Sequence, residues 1–131
     1  MNYLLDTNVF LWSLSQPGRL NSTATQLLLA RSSRIFLSAA TSWELSIKYA
    51  LKKISLPCEP AKLIPQVLND FGYLSLEIRH VHATAVVELP LHHRDPFDRL
   101  LIAQAHIENL TLMTPDRTLA RYGIQILECG L

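Results

Sequence analysis

Four acidic residues stand where short apolar runs give way to polar ones. Asp6 ends Tyr3-Leu4-Leu5 and precedes Thr7-Asn8, and Asp116 follows Leu112-Met113-Thr114-Pro115. Asp98 lies just inside Asp95-Pro96-Phe97, and Glu44 comes a turn or more after Ser38. Carboxylates that meet in one pocket oppose each other's ionisation. A hard divalent cation, Mg²⁺ or Mn²⁺, relieves that conflict because it takes oxygen ligands. The chemistry open to such a group is metal-assisted hydrolysis, with one ion or with two held about 3.5–4 Å apart.

Each acid also has a plainer explanation. Asp6 can cap a helix. Glu44, three residues after Thr41, can complete a capping box, and Asp98 stands in the same relation to Asp95. Asp116 can complement a helix dipole. The elements that position these residues favour the joint reading. Tyr3–Leu5 reads as a strand, and Val9–Leu14 as a turn or two of helix halted by Pro17-Gly18. Asn21-Ser22 caps a helix through Ala24, Leu27, Leu28 and Ala30, and Ile35–Leu37 is a second strand. A long helix follows over Ala39–Lys53, then another from Pro60 to Phe71 that contains Pro65 and closes at Gly72. Tyr73–Leu76 is a third strand, and Val81–Leu89 a short helix.

Asp95 caps a helix that begins at Pro96 and runs to Glu108. Leu112–Thr114 is a fourth strand, Pro115–Tyr122 a helix closed by Gly123, and Ile124–Leu127 a final strand. Strands alternating with helices predict a parallel sheet covered on both faces. Asp6 and Asp116 then share the carboxyl end of that sheet. Asp98 opens a crossover helix, which runs opposite to the strands, so it comes to the same rim. Glu44 reaches the rim less directly.

The 131 residues, 49% hydrophobic and 18% charged, fit one globular domain rather than a disordered chain. A net charge of +1 excludes a strongly basic field, so local cations must supply any attraction for phosphate. Lys48 and Lys52 flank Glu44, while Arg94, Arg99, Arg117 and Arg121 flank the other acids. Phosphate contact is one reading of that set. Ordinary surface charge, including a Glu44–Lys48 pair at helical spacing, is the other.

Thr7, Asn8 and Thr114 could support a phosphate or a metal-held water, or could simply form turns. His92 and His93 lack a third soft ligand at set spacing and read as a solvated loop, and His80, His82 and His106 as surface or partly buried helix residues. Cys58 and Cys129 form no metal-binding pattern and read as reduced thiols. The opening residues carry an acid too early for a signal peptide, and no apolar run approaches the roughly 20 residues that span a bilayer. The expectation is a cytoplasmic protein that does not contact a membrane.

Leu4-Leu5-Asp6-Thr7-Asn8 resembles the opening of a PIN domain. Ser38-Ala39-Ala40-Thr41-Ser42-Trp43-Glu44-Leu45 is similar to that family's second motif. The third and fourth are matched by the run from His93 through Asp98 to Ala105 and by Thr114-Pro115-Asp116. The third run is the most specific, and resembles the VapC-like toxins of the family. This resemblance spans residues 1–131 as a single PIN domain. It implies a three-layer α/β/α sandwich with about four to five parallel strands, and a Mg²⁺- or Mn²⁺-dependent endoribonuclease. It further implies a homodimer held inactive by a VapB-like antitoxin.

Carried over by position, the resemblance makes Asp6, Glu44, Asp98 and Asp116 the catalytic acids. Asp6, Asp98 and Asp116 would be the metal ligands, and Asp95 is left to capping. Trp12, Leu14, Trp43, Ile47 and Leu51 would offer an apolar groove for the antitoxin, unless they pack internally. Two rival classes stay open. One is an aspartyl-nucleophile phosphotransfer enzyme, for which Asn8 stands where a second acid is wanted. The other is a non-catalytic RNA-binding domain, which would have no need to keep all four acids.

Overall fold

Strict alternation of side chains lets each strand serve two cores at once. In a computed structural model describing residues 1–131, the strands are β1 (Asn2–Leu5), β2 (Arg34–Ser38), β3 (Leu74–Leu76), β4 (Thr111–Thr114) and β5 (Ile126–Glu128). Tyr3, Leu5, Ile35, Leu37 and Met113 point to one face, where they pack with Val9, Phe10, Ala24, Leu45, Leu63 and Val67. Leu4, Phe36 and Leu112 point to the other, against Leu100, Leu101, Ile102 and Ala105. The result is a parallel sheet with helices on both faces, the three-layer α/β/α arrangement.

The helices are α1 (Thr7–Ser15), α2 (Ser22–Leu29), α3 (Ala39–Ala50), α4 (Pro60–Phe71), α5 (His80–Ala85) and α6 (Pro96–Ile107). Strand order is β3-β2-β1-β4-β5, with every neighbouring pair parallel. After β1 the chain crosses to β2 on one side, and after β4 it crosses to β5 on the other. The switch point therefore lies between β1 and β4, where a crevice opens at the carboxyl ends. The register there is tight. Leu5 sits opposite Met113, and the Asp6 N–H donates to the Met113 carbonyl at 2.9 Å.

Several boundaries depart from the sequence expectation. The first helix is nine residues long and starts at Thr7, because Asp6 itself caps it by accepting from the Asn8 N–H. α3 stops at Ala50 rather than Lys53. Lys52 takes the left-handed conformation (φ 59°), and the Lys53 N–H reaches back to the Lys48 carbonyl while the Lys52 N–H reaches that of Tyr49. This is a Schellman closure with lysine in the place usually held by glycine. The segment before the last strand is a 3₁₀ turn over Arg117–Tyr122, not an α-helix, and β5 begins at Ile126 rather than Ile124. α5 likewise ends at Ala85 and continues as a 3₁₀ turn over Val86–Glu88. Pro65 lies inside α4 without ending it.

His82 corrects the surface assignment, for its side chain is wholly buried. Its Nδ1 accepts from the Arg79 N–H at 3.0 Å, and Nε2 meets Glu108 Oε2 at 2.8 Å. Beside it, fully buried Gln104 accepts from Ser38 Oγ at 2.5 Å and donates to the Glu77 carbonyl at 3.2 Å. Ser38 also caps α3 by accepting from the Ala40 N–H. One polar link thus ties the ends of β2, α3 and α6. Both cysteines are free thiols, and burial pushes the Cys129 thiol up to about 12. No helix is long and apolar enough to cross a membrane.

Gln104→Leu keeps the volume but strands the Ser38 hydroxyl and the Glu77 carbonyl, so despite its greater hydrophobicity it should destabilise the fold by about 1–3 kcal/mol. Urea unfolding monitored by circular dichroism measures this, and an unchanged midpoint would remove Gln104 from the structural core.

Candidate active site

The four acids reach one rim by four separate routes. Asp6 is the first residue past β1, and Asp116 lies two past β4. Asp98 is in the first turn of α6, whose cap is Asp95. The Asp95 carboxylate accepts from the Phe97 N–H at 2.8 Å and the Asp98 N–H at 3.3 Å, as its capping assignment requires. Glu44 sits in the second turn of α3, which is braced against α6 by an edge-on contact of Trp43 with Phe97, 5.1 Å between centroids. Asp6 and Glu44 are buried, at 6% and 5% exposure.

Hydroxyl groups hold the two buried carboxylates. Thr114 Oγ1 donates to Asp6 Oδ2 at 2.6 Å and accepts from the Asp116 N–H at 3.1 Å. Thr7 Oγ1 donates to Glu44 Oε1 at 2.8 Å and lies 3.2 Å from Thr41 Oγ1. Lys48 completes the support, its Nζ 2.6 Å from Glu44 Oε2. The pair is the helical-spacing one that the sequence allows. Asn8 contributes its backbone N–H, at 3.1 Å from Asp6 Oδ1.

The titration behaviour records burial first and crowding second. Burial raises the Asp6 carboxyl above its ordinary value, with Glu44 and Asp116 pushing the same way, although hydrogen bonds from Thr114 and Asn8 oppose the shift. Asp98 is raised to about 7, by burial first and then by the charges of Asp6, Asp95 and Glu44, with His93 acting against them. Lys48 is raised chiefly by its hydrogen bond to Glu44, with burial opposing and the charges of Glu44, Asp95 and Asp98 adding to it. Asp116 alone goes down. Its burial works upward, but hydrogen bonds from the Thr118 hydroxyl and N–H and from His93 outweigh it.

A hard cation fits the chemistry of this donor set, which is all carboxylate and carries more negative charge than its neighbours neutralise. Asp98 is raised by burial first, and the charges of Asp6, Asp95 and Glu44 add to the shift. As the side chains stand, no three acidic, histidine or cysteine groups close into a ready cage. Asp6, Glu44 and Asp116 are instead turned to their own local donors.

Sequence reasoning missed four participants. His93, taken as a solvated loop residue, places Nε2 3.1 Å from Asp116 Oδ2. Thr118 binds the other oxygen of the same carboxylate through both its N–H (2.9 Å) and its hydroxyl (2.6 Å). Thr41 stands behind Thr7, and Tyr122 Oη accepts the His93 N–H at 2.7 Å. Only the position of His93 at the head of the third motif could have signalled it.

The basic set divides. Arg94, Arg117 and Arg121 are exposed, with Arg117 3.9 Å from Glu128. Lys52 is exposed at the end of α3. Arg99 is different. Its guanidinium donates to four carbonyls, those of Val86, Leu89, Pro90 and His93, at 2.9–3.2 Å. This leaves it a loop staple rather than a phosphate ligand. The apolar groove also divides: Trp12 and Leu14 pack on the first core, with Arg19 4.5 Å over the Trp12 ring. Trp43 (56%), Ile47 (39%) and Leu51 (60%) remain exposed along α3.

The PIN domain family profile matches residues 3–125. This chain belongs to the PIN domain family. No curated protein matches the sequence. Among solved structures, VapBC2 from Rickettsia felis, bound to a DNA fragment from its promoter, contains a chain similar to this PIN domain, with a TM-score of 0.73 at 19% identity over 98% of this chain and 99% of that one. DNA-bound VapBC from Salmonella typhimurium gives 0.70 at 21% identity, covering 97% of both chains. FitAcB from Neisseria gonorrhoeae gives 0.65 at 23%, covering 97% and 96%. At these identities the likeness is one of fold.

Asp98 yields a pH test. The folded chain keeps its proton up to about pH 7, whereas the ordinary value is 3.8. The group therefore favours the fold fully below pH 3.8, and that contribution is lost as pH rises toward 7. Without divalent metal, Asp98→Asn should melt about 3 °C or more above wild type at pH 8, with the gain shrinking toward zero near pH 4. Calorimetry at the two pH values checks this, and equal gains at both would refute the raised Asp98 carboxyl.

Proposed function

We propose that this PIN domain is a Mg²⁺- or Mn²⁺-dependent endoribonuclease, the toxin of a toxin–antitoxin pair. One observation carries the reading. The charges of Asp6 and Glu44 both bear on Asp98, and those of Glu44 and Asp116 on Asp6, beside the β1–β4 switch point. Asp6, Asp98 and Asp116 would hold the cation. When bound, it would act as Lewis acid and lower the pKa of water beside the scissile phosphate.

The chain's own residues do the rest. Thr114 and the Asn8 N–H each hold one oxygen of the Asp6 carboxylate and so fix its orientation. Thr7 and Lys48 hold Glu44 from two sides, leaving it to orient or deprotonate the attacking water. Lys48, drawn toward the acids, also screens the approach of an RNA phosphate. Arg94, Arg117 and Arg121 add exposed positive charge for the flanking backbone, so RNA binding should weaken with salt.

The toxin assignment draws support from the similar fold in the VapBC and FitAcB assemblies. The exposed Trp43, Ile47 and Leu51 on α3 are apolar and adjoin Glu44, which suits a VapB-like antitoxin segment that inserts a basic side chain among the acids. A homodimer fits the same reading. The phosphotransfer alternative is disfavoured by Asn8, which stands where a second acid is wanted.

Asp6→Asn should lower Mg²⁺-dependent RNA cleavage roughly a hundredfold or more, with an unchanged circular dichroism spectrum. Chelation of divalent ions should do the same to wild type, and full activity in either case would overturn the proposal. Trp43→Ser should weaken copurification with a co-expressed antitoxin, and retention at wild-type yield would move the antitoxin off α3.

A further inference from the structure

The loop before α6 is held more firmly than a connection requires. The four carbonyls taken by Arg99 span residues 86–93, and the last belongs to His93. The N–H of the same residue donates to Tyr122 Oη. The Tyr122 ring also lies against both neighbouring imidazoles, 5.0 Å from His92 and 5.8 Å from His93 between centroids. His93 is thus anchored at its N–H, its carbonyl and its ring face.

What this anchoring delivers is a proton donor at Asp116. An ionised carboxylate only accepts, so the His93 nitrogen 3.1 Å from Asp116 Oδ2, Nε2, carries hydrogen. Thr118 Oγ1, 3.3 Å away, accepts from the same nitrogen and gives its own hydrogen to Asp116 Oδ1. The ring's other nitrogen, Nδ1, is buried with no partner. Leaving a buried polar atom unpaired is unfavourable. Turning the ring over would abandon Asp116, so the arrangement ranks the Asp116 contact above the satisfaction of Nδ1.

We infer that His93 is a positioning residue for the fourth acid, and that Arg99 and Tyr122 act through it. His93 and Thr118 clamp the two oxygens of Asp116 and leave the remaining lone pairs in one orientation toward the rim. The inference rests on the proposed cation site and adds a residue to its support. Partners of this kind typically set metal affinity by 10- to 100-fold.

The test is calorimetric titration of Mn²⁺ into the full chain without RNA, beside steady-state cleavage. His93→Ala should weaken the Mn²⁺ Kd by about 10- to 100-fold and lower kcat, with KM for RNA nearly unchanged. His93→Gln, whose amide can donate to the same oxygen, should recover most of the affinity, and Tyr122→Phe should lose part of it. Wild-type affinity in His93→Ala, with binding abolished in Asp6→Asn, would overturn this inference and leave the nuclease reading standing. Absence of Mn²⁺ binding in wild type would overturn both. Should His93→Ala not fold, Tyr122→Phe is read in its place, and an unchanged Kd there overturns the inference.

Discussion

Repulsion among carboxylates that share one rim is the constraint on which the rest of this structure depends. A parallel sheet with its switch point between β1 and β4 collects chain segments far apart in sequence. It therefore forces Asp6, Glu44 and Asp98 within reach of each other's charge. The fold answers with a hydroxyl from Thr114, another from Thr7, and one ammonium from Lys48. These supports hold Asp6 and Glu44 but do not restore Asp98 to its ordinary acidity. The remaining imbalance is what a divalent cation would relieve, and it links the architecture to the proposed chemistry.

Most of the architecture could be read from apolar spacing. Alternation in Tyr3-Leu4-Leu5 and Ile35-Phe36-Leu37 places residues on two faces, and only a sheet buried on both sides accepts that pattern. Three caps were equally legible, because Asp6, Asn21 and Asp95 accept hydrogen bonds from the turn they precede, whereas α3 is capped at Ser38 and not at Thr41. What could not be read depends on contacts between distant segments. Nothing local marks His82 as buried, since Glu108 lies in another helix. The end of α3 was hidden for a different reason: a lysine occupies the left-handed position, and apolar spacing runs on past it.

The site was legible to a similar depth. The acids announce themselves by type and by position at element edges, and all four lie within the span of the family match, residues 3–125. Their supports were obscured by ordinary appearances. A histidine between His92 and Arg94 looks like loop, yet Tyr122 and Arg99 fix its backbone. Arg99 could be read from the sequence as a phosphate ligand or as the partner of a neighbouring acid. Its fork is instead filled by backbone oxygens, a role that only the path of the preceding loop reveals.

Thr114 deserves to be followed one step further. Its single hydroxyl touches both the side chain of Asp6 and the backbone of Asp116, and the adjoining ladder bond joins Asp6 to Met113. The relative placement of the first and fourth acids is therefore inherited from strand pairing and not from the loops around them. Connections elsewhere in the chain can lengthen, shorten or change composition without retuning that separation, and only a slip between the two central strands would disturb it.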